Sequence, residues 1–113
     1  MTVRELMDED VFQVLNEGEN TDREISQPFC CDLLSIAMSK APAGAAWVTV
    51  MGNMNTLAVA TLTECACIIL AEGIQMDEAA LKKADAEGIT VFATEAPIFE
   101  TGLTVIRIME TYE

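Results

Sequence analysis

The sequence predicts an α/β fold: a small layered domain whose mainly parallel sheet of about four to five strands is flanked by helices. Three observations carry this. First, residues 46–73, AWVTVMGNMNTLAVATLTECACIILAEG, hold one charge, Glu64, until Glu72 near the end. Within that stretch come a β-branched run (46–50), a polar break Gly52-Asn53-Met54-Asn55, an apolar or small segment (57–62) and a second β-type run (67–70). The order is strand, turn, buried helix, strand, a βαβ unit whose two strands must be parallel. Second, the strands from Ala46 onward are apolar at nearly every position, as strands covered on both faces are. Third, strand and helix patterns alternate along all 113 residues, enough for one domain, 1–113, around one core.

In chain order, Thr2 and Glu5 have capping-box spacing and open a short helix with Val3, Leu6 and Met7 inward. Asp8-Glu9-Asp10 ends it, because adjacent acids oppose the negative helix terminus. Residues 11–15 read as a strand and 16–26 as a polar loop, with Gly18 and Asn20 as turn residues and Ile25 as its apolar anchor. Pro28 cannot donate to a ladder, so 29–31 is a short strand at best. Asp32 then caps a helix to Lys40 with Leu33, Leu34, Ala37 and Met38 inward. After the central unit, Asp77 caps a helix to Glu87 with Leu81 and Ala84 inward, and Gly88 takes the left-handed position beyond its end. Residues 89–93 form another strand. Thr94 or Glu95 caps a last helix with Pro97 in its first turn, and Phe99, Leu103, Ile106 and Met109 or Tyr112 keep helical spacing. Gly102 and the β-branched Thr104-Val105-Ile106 favour a strand there as the alternative.

Composition narrows the function. Apolar residues make up 51% and the formal net charge is −13. Residues 1–24 and 77–113 carry most of the acids, while 25–76 hold only Asp32, Glu64, Glu72 and Lys40. An acid coat over a neutral heart repels nucleic acid and anionic membranes and favours cations or a basic partner. No apolar run reaches the roughly 18 residues of a membrane span, and the first residues lack a basic head before an apolar segment, so the expected location is cytoplasmic. Cys30, Cys31, Cys65 and Cys67 sit inside apolar runs as small hydrophobes; a cysteine-based metal or redox site is the alternative. With no histidine, at most about three thiolates can converge, so no metal site is assigned.

Ligands of parallel sheets bind at the carboxyl ends of the strands. Those ends supply Asp32, Gly52-Asn53-Met54-Asn55, Glu72-Gly73 and Thr94-Glu95. Gly52 lets the backbone approach a ligand, and the amides of Asn53 and Asn55 can read a base or sugar, with a turn capped by Asn55 as the plainer account. The candidate ligand-binding set is Gly52, Asn53, Asn55, Asp32 and Thr94, with a nucleotide as candidate ligand. No nucleophile–histidine dyad, phosphate-binding glycine loop or dinucleotide fingerprint is present, so no catalytic residue and no cofactor is expected.

Asp22-Arg23-Glu24-Ile25-Ser26, Cys31-Asp32-Leu33-Leu34-Ser35, Ala46-Trp47-Val48-Thr49, Asn55-Thr56-Leu57-Ala58-Val59-Ala60, the run from Ala66 to Gly73 and Gly88-Ile89 with its strand together resemble the DRTGG domain family, over almost the whole chain. The resemblance implies a small α/β domain similar to the N-terminal domain of HPr kinase/phosphorylase. Such domains lie beside CBS domains in regulatory pyrophosphatases and within long phosphate acetyltransferases, as regulatory or dimer-forming modules. It also implies a protein partner in a redox or signalling system. Asp22 and Arg23 match the family motif, while Ser26-Gln27-Pro28 replaces its threonine and two glycines. The expectation is a non-catalytic regulatory module that forms a homodimer; a small-ligand sensor is the alternative.

Overall fold

Five strands form one sheet in the order β1-β5-β4-β3-β2 in the computed structural model, which describes residues 1–113. They are β1 (Gln13–Asn16), β2 (Pro28–Cys30), β3 (Ala46–Thr49), β4 (Cys67–Leu70) and β5 (Val91–Ala93). β2 to β5 run parallel and β1 joins β5 antiparallel. The expected βαβ unit is present: β3 and β4 are neighbouring parallel strands, registered Ala46 to Cys67 through Thr49 to Leu70. The central strands are buried on both faces, as their continuous apolar character requires.

Three crossover helices link the parallel strands: α2 (Leu34–Lys40), α3 (Met54–Leu62) and α4 (Glu78–Ala86). Each connects adjacent strands in sequence, so crossovers of one hand place all three on one face. There Ala37, Leu57, Ala60, Ala80 and Ala84 pack on Trp47, Ile68, Leu70 and Val91. The other face is covered by α1 (Val3–Asp8) and α5 (Ile98–Glu110), with Val3, Leu6 and Val105 on Val48, Ile69 and Phe92. Phe12 adds an edge-to-face contact with Phe92 at 6.1 Å between centroids. Successive strand residues thus serve opposite layers, the period-two rule applied to strands with two cores.

Local signals hold at several ends. Both halves of the Thr2–Glu5 capping box form, Asp77 caps α4 through Ala80 N, and Gly88 follows α4 at φ +70°. Ile25 is buried, as an anchor should be.

The inward faces of the helices need correction. Residues 57–62 are not buried all round: Leu57, Val59 and Ala60 face the sheet, but Ala58 and Thr61 are exposed and Leu62 is 66% exposed. A helix in a single layer covers one side only, whatever its composition. In α2 only Ala37 is fully buried, Leu34 is partly so, and Leu33 and Met38 are exposed, because this short helix lies at the sheet edge with α3 on one flank. α5 is a helix and not a strand, but it buries Thr101, Gly102 and Val105 and leaves Phe99 and Ile106 exposed. Both stripes have helical spacing. Gly102 decides between them: a Cβ there would lie 3.0 Å from Cys30 Sγ, so only this face lets α5 settle onto β2. β1 starts at Gln13, two residues later than expected, with Phe12 buried and Val11 exposed.

Candidate functional site

The parallel strands bring their carboxyl ends to one edge of the sheet, where the candidate ligand residues lie. Asp32 does not cap α2; Leu33 holds the cap position without a side-chain bond. Asp32 Oδ1 instead accepts from Thr49 Oγ1 at 2.8 Å and from Val50 N at 2.9 Å, tying β2 to the tip of β3. Thr49 is fully buried, so its hydroxyl needs an acceptor, and the carboxylate one strand away supplies it. Thr49 Oγ1 in turn accepts from Met51 N at 3.2 Å, and Thr56 Oγ1 donates to Met51 O at 2.6 Å.

Asn53, not Asn55, is the cap of α3: its Oδ1 accepts from Asn55 N at 3.0 Å and Thr56 N at 3.2 Å. Asn55 stands exposed in the first turn. Gly52 meets its own chain closely, since a Cβ there would lie 2.8 Å from Gln75 O.

On the far side of β4, Thr94 Oγ1 accepts from Ala96 N at 3.2 Å. Neither Thr94 nor Glu95 caps α5. Pro97 occupies the cap position and has no acceptor side chain, and Glu72 Oε2 accepts from Ile98 N at 3.2 Å from another loop. A carboxylate at a helix N-terminus also meets the positive end of the dipole. Glu95 lies over Gly73, where a Cβ would fall 2.5 Å from Glu95 Oε2.

The set therefore divides. Gly52, Asn53 and Asn55 form one loop, Asp32 bridges β2 and β3, and Thr94 lines a separate cleft of about 300 Å³ with Val11, Gln13, Gln75, Ala93 and Glu95. None of the four clefts on the molecule is lined by Gly52, Asn53, Asn55 or Asp32. Gln13 and Gln75 escape sequence reasoning because an amide on a strand or loop carries no spacing signal.

The loop around Asp22, Arg23 and Ser26 lies at the opposite, amino end of the parallel strands. The Arg23 guanidinium donates to the Glu64 carbonyl, and Arg23 O accepts from Val3 N at 3.0 Å. Ser26 Oγ donates to Ala43 O and Ser26 N to Gly44 O, both at 2.8 Å. Asp22 is exposed and forms no ion pair with Arg23; the Arg23 side chain-to-backbone strap holds the loop. Arg23 also borders a polar cleft of about 170 Å³ with Glu64, Cys65, Glu87 and Thr90. The Lys83 side chain and then the Thr61 hydroxyl hold Glu87 below the usual carboxylate range.

The cysteines separate in the same way. Cys30 and Cys31 end β2, while Cys65 and Cys67 precede and begin β4, at the other end of the sheet. Burial raises the thiols of Cys30, Cys65 and, most of all, Cys67 above the ordinary 9.0, with Asp32 adding to the effect at Cys30. Each is thus a neutral thiol at pH 7, a poor nucleophile. No three cysteine, aspartate or glutamate side chains converge at a metal's reach.

What the exterior offers instead is apolar. Pro28, Cys30, Phe99, Gly102, Leu103 and Ile106 line a groove of about 210 Å³ between β2 and α5. Phe99 is 72% exposed on its rim; on the other face of the sheet, Leu33 at the cap of α2 and Ile36 within it are exposed as well. Comparison with protein-family models and with curated proteins gives no match for this chain.

Proposed function

We propose that this chain is a non-catalytic regulatory module of the DRTGG type that works by associating with a second copy of itself. One observation carries the reading: an acid-coated chain leaves Phe99, Leu33, Ile36, Met38 and Ile106 in water although 51% of its residues are apolar and a full core is already formed. Large apolar side chains exposed on an otherwise acidic surface support a contact role. The polar groups at the strand tips are taken up by bonds within the chain, which supports a structural role for them. Sedimentation velocity over a broad concentration range tests the proposal. A reversible dimer is expected; a strict monomer at the highest concentration would rule it out.

A second reading, a small-ligand sensor, draws support from the cleft at Thr94. Gln13, Gln75, Thr94 and Glu95 there combine amide, hydroxyl and carboxylate groups, suited to a ligand that donates hydrogen bonds. Glu95 opposes a phosphate unless a cation stands between them. Thermal-shift measurements against nucleotides and nucleosides, with and without magnesium, separate the possibilities; a shift abolished by Thr94→Ala would favour this reading, and no shift for any compound would remove it.

A further inference from the structure

We infer that the cleft lined by Gln13, Gln75, Thr94 and Glu95 binds a small organic monocation, a primary ammonium or guanidinium group on a short apolar body. The inference rests on the small-ligand reading above and adds the chemical class of the ligand.

Topology places the cleft. The chain leaves the neighbouring strands β4 and β5 toward opposite faces of the sheet, to α4 on one and α5 on the other. In open α/β sheets the crevice between two such departures, outside the carboxyl ends of the strands, is where ligands bind. Gln75 comes from the loop after β4, Thr94 and Glu95 from the loop after β5, and Gln13 from the start of β1, opposite Ala93. Glu72 N donates to Ala96 O at 2.9 Å and Gly73 N to Thr94 O at 3.0 Å. The two loops are thus fixed to each other before any ligand arrives.

The polar groups of the cleft are unpaired. At the other strand ends Asp32, Asn53 and Glu72 accept hydrogen bonds from their own chain. The side chains of Gln13, Gln75 and Glu95 make no hydrogen bond or ion pair within the chain. Thr94 Oγ1 accepts from Ala96 N and keeps a second lone pair. Each of the four side chains therefore offers an oxygen acceptor, and one is a carboxylate. An ammonium has three N–H donors and no acceptor, and a guanidinium presents parallel N–H groups that match a carboxylate.

Charge selects the sign of the ligand. The segments at this edge of the sheet, 10–13, 30–33, 50–53, 71–77 and 94–97, carry Asp10, Asp32, Glu72, Asp77 and Glu95 and no lysine or arginine. A phosphate or carboxylate ligand would enter without a counter-charge, whereas a cation is attracted. Size and ligand count then select an organic cation over a metal ion. Glu95 alone balances one positive charge, and no three acids converge here. The cleft of about 300 Å³ is many times the roughly 10–15 Å³ that admits one water. Val11, 45% exposed, and Ala93 supply the apolar wall for a short hydrocarbon body.

Thermal-shift and amide NMR titrations of the full chain test this, with n-butylamine and butylguanidine added to the nucleotides and nucleosides and circular dichroism to confirm folding. Both cations should raise the melting temperature saturably and move the amide signals of Gln75, Thr94 and Glu95. Glu95→Gln keeps the shape and removes the charge, and should raise the dissociation constant at least about tenfold. Gln75→Ala, at a side chain with no partner in the chain, should raise it several-fold. Glu110→Gln, at an exposed acid near the end of α5, should leave it unchanged. Tetramethylammonium, which carries the charge without an N–H donor, and butyrate should give no response at the cleft. Equal binding of tetramethylammonium, or equal losses in Glu110→Gln and Glu95→Gln, would reveal only the field of the acidic surface and overturn the inference. So would a response to calcium chloride that matches the amine. Saturable binding of a nucleoside or nucleotide that Thr94→Ala abolishes, with no binding of either cation, would overturn the ligand class while leaving the small-ligand reading standing. No response to any compound would overturn both.

Discussion

Asp32 illustrates how a residue typical of a helix cap is drawn to a different task. A cap carboxylate satisfies one exposed amide, worth about 1 kcal/mol. In its actual place Asp32 satisfies Val50 N and the hydroxyl of Thr49, which water does not reach. Asp32→Ala should therefore cost about 1–3 kcal/mol in urea unfolding, because it leaves a buried hydroxyl unpaired. In a Thr49→Val background the same change should cost clearly less, and equal costs in both backgrounds would refute the pairing. Cys67 gives a prediction in pH. Its folded thiol is raised above the ordinary 9.0 by burial. Stability linked to it is complete below that value and is lost as pH rises beyond it, since the unfolded chain releases the proton first. Unfolding midpoints should fall between pH 8 and about 10, with a shallower fall in Cys67→Ala.

At the scale of elements, α2, α3 and α5 carry more apolar surface than their contact faces can use. On α3 the two kinds of leucine can be told apart by mutation. Leu57→Ala should cost about 2–5 kcal/mol, as a fully buried side chain leaves a cavity, while Leu62→Ala should stay within about 0.5 kcal/mol. On α5 the glycine that weakens the helix is what seats it. Gly102→Ala gains helix propensity of about 1 kcal/mol but presses on Cys30 Sγ. The two effects should separate in a double-mutant cycle, where Gly102→Ala is stabilising in a Cys30→Ala background and less favourable in the wild type. Identical effects would mean that the close approach does not constrain α5. Glu72 supplies α5 with a cap from a distant loop, so Glu72→Gln should weaken that helix end more than an isolated surface change does.

For the whole molecule, charge and shape act against each other. A net charge of −13 keeps copies apart, while the exposed apolar side chains favour contact between them. Raising salt from about 0.01 M to 0.15 M shortens the Debye length from about 30 Å to 8 Å. Self-association should therefore tighten with salt over that range, because the repulsion sums over the full excess of acid. Sedimentation equilibrium at several salt concentrations would check this; affinity that falls steadily with salt would mean that attraction between opposite charges dominates.

The layered α/β class, the parallel pairing of β3 with β4, the capping box of α1 and the Asp77 cap of α4 are all legible in the residue pattern. Those features follow from periodicity and from contacts a few residues apart, so the local pattern contains all that they require. Which stripe of α5 faces inward, where the carboxylates of Asp32 and Glu72 are spent, and which cleft Thr94 joins were decided by the tertiary structure alone. Two stripes of equal spacing or two acceptors of equal strength look the same in the sequence. Only the partner brought near by folding, Cys30 for Gly102, Thr49 for Asp32, Ile98 for Glu72, makes one of them lower in free energy.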